Sequence, residues 1–128
     1  MFDVYEMYGS REATLQGICA LLSSSLGLTF EEHESYYLGE YFLARGPAGQ
    51  EITVESNQLE DEDGIYTREE EFPDYGTLVR LEYRAPALAE GQAAADQLSG
   101  AIEKTQKLIL LQRNVFPAED RPGGMNPS

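Results

Sequence analysis

Asp61, Asp63, Gly64 and Glu70 stand in the stretch LEDEDGIYTREE (59–70) at the spacing of a calcium-binding loop. Such a loop needs side-chain oxygens at positions 1, 3, 5 and 12, with glycine at position 6 for the sharp turn. With Gly64 at position 6, Asp61, Asp63 and Glu70 supply three of these. Position 1 falls on Leu59, which has no side-chain oxygen, and the flanking segments read as strands instead of helices. No dedicated metal site is expected, only weak cation binding by a dense set of carboxylates.

Other catalytic constellations are thin. The chain has one cysteine, Cys19, and one histidine, His33. Cys19 falls on an apolar helical stripe, where a buried, inert thiol is the expected state. His33 sits among carboxylates in FEEHES, which suits a solvated edge or loop. With 23 acidic residues, some pair of carboxylates is close by chance, so a glycosidase-like pair has no particular support. No glycine-rich phosphate loop follows a strand; ARGPAG (44–49) lacks the lysine and reads as a turn. No cofactor is expected.

The acidic segment itself is the strongest local feature. Ten Asp or Glu residues and one basic residue, Arg68, lie between 51 and 74, interleaved with Tyr66, Phe72 and, just beyond, Tyr75. The plainer reading is a solvated loop that keeps the protein soluble. The functional reading is a recognition surface, where carboxylates steer a basic partner in and aromatic side chains anchor it.

The elements that must carry this segment follow from periodicity. FDVYEMY (2–8) alternates as a strand. Ser10 is placed to cap a helix whose apolar residues Leu15, Ile18, Cys19, Leu22 and Leu26 recur at threes and fours, with Gly27 as its stop. Gly17 weakens that helix unless something packs closely there. LTFEEHE (28–34), YYLGEYFLA (36–44) and EITVES (51–56) read as strands, the last two as a hairpin around Gly46, Pro47 and Gly49. After the acidic loop, 57–75, TLVRLEY (77–83) is a strand with Val79, Leu81 and Tyr83 on one face. Pro86 suits the first turn of a second helix, with Ala94, Leu98, Ile102, Thr105 and Ile109 as its stripe. KLILLQRN (107–114) fits either the end of that helix or a strand, and the helix is favoured.

This order predicts one α+β domain over 1–114, an antiparallel sheet of about five strands with two helices packed on one face. Residues 115–128 are expected to form a disordered tail. At 128 residues the chain suffices for a single core. The N-terminus lacks a basic start and an apolar run, apolar runs such as LILL (108–111) are far too short to cross a bilayer, and a lone cysteine fits a reducing compartment. A cytoplasmic, soluble protein is expected.

Nine Lys and Arg against 23 Asp and Glu leave a formal net charge of −14. That field repels nucleic acid and anionic membranes and attracts basic proteins.

The segments ESYYLGEYFLA, ITVESNQLEDEDG and EFPDYGTLVRLEY carry a resemblance. Ser35, Tyr37, Gly39 and Tyr41 on one strand, Asn57 in an acidic loop, then Phe72, Pro73 and Leu78 resemble the pattern of small α+β immunity proteins of bacterial polymorphic toxin systems. The likeness covers about half the chain. It implies a protein that binds and blocks a cognate toxin, and it implies no catalytic residue.

The leading expectation is therefore a non-enzymatic acidic binding protein, an immunity-type inhibitor of a basic partner. Glu60, Asp61, Glu62 and Asp63, then Glu69, Glu70, Glu71 and Asp74, would contact the partner, with Tyr66 and Phe72 as anchors. Two alternatives stand beside it: a small enzyme with a carboxylate or weak metal site, and a structural homodimer joined through the open sheet face.

Overall fold

The computed structural model describes residues 2–11, 14–35, 39–46 and 49–117. Tyr37 of the resembling segment, Pro47 of the expected turn and residues 118–128 of the expected tail lie outside them.

Among the described residues, eight strands and two helices follow in the order β1 (Phe2–Ser10), α1 (Leu15–Leu26), β2 (Glu31–Ser35), β3 (Gly39–Arg45), β4 (Glu51–Ser56), β5 (Gln58–Asp61), β6 (Gly64–Thr67), β7 (Thr77–Ala85), α2 (Leu88–Glu103) and β8 (Ile109–Pro117). Six strands form one sheet in the order β2-β3-β4-β7-β1-β8, and every pairing is antiparallel. β5 and β6 form a separate two-stranded hairpin. The architecture is α+β, with more strands than the five expected.

Both helices lie on one face. Ile18, Cys19 and Leu22 of α1 and Leu98 and Ile102 of α2 share a core with Tyr8, Ala44, Ile52, Val54, Val79 and Leu81. These strand residues alternate along their strands, so each presents its apolar set to the helices. α1 is capped by Thr14 and not by Ser10: Thr14 Oγ1 accepts the Gly17 N–H at 3.0 Å, while Ser10 ends β1. The same hydroxyl is the close neighbour at Gly17, where a Cβ would stand 3.1 Å from it. Gly27 stops the helix at φ 70°, its N–H returning to the Ser23 carbonyl. Pro86 lies outside α2, whose N-cap is Ala87.

The helical reading of 107–113 is overturned: Lys107 and Leu108 lie between α2 and β8, and 109–113 belong to β8. α2 ends at its C-cap, Lys104, where the Thr105 hydroxyl donates to the Ile102 carbonyl at 2.6 Å and Gln106 turns the chain at φ 60°. An apolar run such as LILL carries no period of its own, so tertiary pairing decides. β8 pairs along β1 with one register shift, between Met7 and Tyr8. It also brings Arg113 onto Glu6, which is fully buried. Thr105 and Ile109 accordingly leave the expected helical stripe. The domain also extends past 114: Val115 to Pro117, assigned to the tail by sequence, continue β8 opposite Val4 to Phe2.

Glu6 sits under α2 with full compensation. It accepts from the Tyr8 hydroxyl at 2.9 Å and from Arg113, and Arg113 reaches on to Asp96 of α2 at 2.9 Å. A buried carboxylate without such partners would cost several kcal/mol.

Candidate functional site

The face away from the helices is not bare. Register places Arg45, Glu51, Glu82 and Tyr5 in one row across β3, β4, β7 and β1. The next row is Leu43, Thr53, Arg80 and Met7, and the next is Tyr41, Glu55, Leu78 and Gly9. Met7 and Leu78 are fully buried on this side. On this face the acidic segment leaves the sheet after β4, makes the β5–β6 hairpin, and then lays Glu69 on Arg80 of β7 and the Tyr75 ring beside Gly9 of β1 before entering β7.

Asn57 organises that path. Its backbone N–H donates to the Gly76 carbonyl and its carbonyl accepts from the Arg68 N–H, both at 2.8 Å. Its Nδ2 donates to the carbonyls of Phe72 at 2.9 Å and Tyr75 at 2.8 Å, and its Oδ1 accepts the Glu69 N–H at 2.8 Å. The residue is completely buried. A single carboxamide thus satisfies three backbone groups of a turn that has no strand partner of its own. The Tyr75 ring packs against Gly9, where a Cβ would come within 2.8 Å of it, so the close approach requires glycine.

A second tie lies beneath. Glu55, on β4 and nearly fully buried, accepts Arg68 and Arg80, each at 3.0 Å. Arg80 extends to Glu69 at 2.7 Å and also donates to the Tyr5 hydroxyl. Burial disfavours the Arg80 charge, but the bonds to Glu69 and Glu55 outweigh it and push its pKa further up. The Tyr5 phenol is raised in turn, chiefly by burial, with Arg80 opposing.

The expected contact residues therefore separate into two sets. Glu62, Asp63, Glu70, Glu71 and Asp74 are exposed. Tyr66 is 47% exposed. Glu69 faces inward onto Arg80, and Phe72 is half-buried with its carbonyl held by Asn57, so both belong to the scaffold of the loop. Glu60 and Asp61 lie on β5, opposite Ile65 and Gly64. Of the twelve residues that matched a calcium loop by spacing, 59–67 fold instead in this hairpin, Leu59 opposite Tyr66, with Glu62 and Asp63 at the turn and Gly64 at φ 126°, and 68–70 lie beyond it.

Sequence reasoning passed over Ile65, which at 70% exposure is the most exposed large apolar residue among the described residues. Its signal was the alternation GIYT directly after an acidic turn. Neighbours on a strand point to opposite faces, so Ile65 and Tyr66 give the hairpin an apolar group on each side. Neither is covered within the described residues.

Among the described residues, no group of three or more His, Cys, Asp or Glu is placed to hold a metal ion. Cys19 and His33 occupy opposite sides of the sheet: Cys19 in the helix-side core, His33 stacked on Tyr41 of the other face at 5.4 Å. They do not form a nucleophile–base pair. No described helix is long and apolar enough to cross a membrane.

Fold and surface together define a small antiparallel α+β domain that projects an acidic hairpin from a pinned base. No protein-family model matches the chain, and no curated protein sequence matches it.

Proposed function

We propose that this protein is a non-enzymatic acidic binding protein, of the kind that inhibits a basic partner such as a toxin by covering its working surface. The supporting observation is the β5–β6 hairpin, where Ile65 and Tyr66 stand exposed beside the turn carboxylates Glu62 and Asp63. A two-stranded hairpin with uncovered apolar groups is marginal alone, and here the Asn57 and Glu55 ties hold it in a defined pose. A preorganised projection loses little entropy on docking. The exposed carboxylates at 62, 63, 70, 71 and 74 steer a basic surface toward it, and the two apolar side chains supply the desolvated contact.

The test is capture of a partner from native cell lysate at low and high salt, followed by the same capture with Asp61, Glu62 and Asp63 replaced by Lys. The proposal expects a basic partner retained at low salt and lost at high salt, because screening shortens the reach of exposed charges. It expects no capture by the triple variant, with an unchanged circular dichroism spectrum. Undiminished capture by that variant removes the hairpin from the interface.

A further inference from the structure

The two edges of the six-stranded sheet differ in charge. β2, at one edge, carries Glu31, Glu32 and Glu34, all exposed. Inserting such a strand beside a second copy would set carboxylates against carboxylates, and charged edge residues are a common protection against strand pairing. β8, at the other edge, is nine residues of sequence ILLQRNVFP and contains no acidic residue. Its one charged residue, Arg113, is already matched inside the chain by Glu6 and Asp96. β8 pairs β1 on one side, and among the described residues no strand pairs its outer side.

We infer that β8 is the interface of a homodimer, in which two copies pair their β8 strands antiparallel about a twofold axis and continue one sheet into the other. The occupant follows from charge. A partner drawn by the acidic field finds no carboxylate on this strand to recognise, whereas two chains of net charge −14 repel over most of their surface and meet here without opposed acids. An isologous antiparallel pairing is the arrangement a neutral edge strand can make with itself. The register shift opposite Met7 and Tyr8 places a bulge at Leu111, so the regular stretch beyond it, from Gln112, is the pairing segment. Gln112 and Asn114 are exposed there and share the face of the sheet away from the helices. The site lies outside β7 and β1, whereas the acidic hairpin arises between β4 and β7, so a dimer leaves both hairpins free.

The experiment is sedimentation equilibrium of the full chain over a concentration series, at low and high salt. We expect a monomer–dimer equilibrium that tightens as salt rises, since screening relieves the repulsion between two acidic chains. This sign is opposite to that expected for the basic partner, which separates the two ideas. The double substitution Gln112→Glu and Asn114→Glu gives β8 the acidity of β2 and is expected to weaken the dimer at least tenfold. Asp61→Lys, Glu62→Lys and Asp63→Lys are expected to leave β8 pairing in place. Backbone amide exchange on the unmodified chain gives a reading free of mutation: β8 amides directed outward gain protection as concentration rises. A monomer at every concentration and both salts overturns the inference, as does a dimer indifferent to Gln112→Glu with Asn114→Glu, or one that forms with no change in β8 exchange.

Discussion

The side chain of Asn57 accepts the backbone N–H of Glu69 at 2.8 Å, tying the far limb of the acidic segment to the strand end from which the segment departs. The same carboxamide holds the Phe72 and Tyr75 carbonyls, so the loop from 57 to 75 is closed by one buried polar group.

Replacing Asn57 with Ala strands one backbone donor and two acceptors. The expected loss is about 3 kcal/mol, since each buried unsatisfied group costs roughly 1–3 kcal/mol and some regain water. Urea unfolding measures the total. Hydrogen exchange should show faster opening at 68–76 than in β1 or β7. Asn57→Asp keeps the acceptor but sets a buried carboxylate against the Phe72 and Tyr75 carbonyls, and is expected to cost at least as much as the alanine.

Glu6 and Arg113 test the opposite side of the sheet. Arg113→Ala leaves a buried carboxylate with only the Tyr8 hydroxyl, and is expected to destabilise by about 3 kcal/mol, the lower end of the range for a broken buried pair because Arg113 is partly exposed. Removing both charges with Glu6→Leu and Arg113→Met should recover much of that loss. Thermal unfolding of the three variants decides it; an additive double variant would show that the two residues act independently.

Cys19 makes stability depend on pH in the alkaline range. Burial pushes its thiol from 9.0 up to about 11, so the folded state holds the proton after the unfolded chain would release it. That contribution is complete below pH 9 and lost as pH rises through about 11. Cys19→Ala should flatten this part of the stability profile. The native thiol should react slowly with a thiol reagent at pH 8 and quickly once the chain is unfolded.

Ile65→Ala and Tyr66→Ala probe the proposed docking surface without touching the core. Each residue is exposed, so stability should move by less than about 0.5 kcal/mol. Partner affinity should fall at least tenfold if the two side chains are anchors. Equal affinity in both variants would leave the hairpin with charge alone.

Patterning determined most of the elements without any tertiary information. Val79, Leu81 and Tyr83 alternate, and Ile18, Cys19 and Leu22 recur at helical spacing, because a side chain must reach a common core from a fixed backbone period. Gly27 ended α1 as its backbone freedom requires. The net charge of −14 and the acidic run are equally properties of sequence. Three things were decided only by the fold. LILL has no period of its own, and β1, with Glu6 in need of a cation, drew it into a strand. Glu69 and Glu70 are the same residue type in adjacent positions, yet Glu69 turns onto Arg80 and Glu70 faces solvent. Asn57 is one polar residue among many in the sequence, and it became the centre of the loop because contacts twelve to eighteen residues away converge on it. Local periodicity is written in neighbours along the chain; the partner of a buried polar group is set by distant segments, and only their assembly names it.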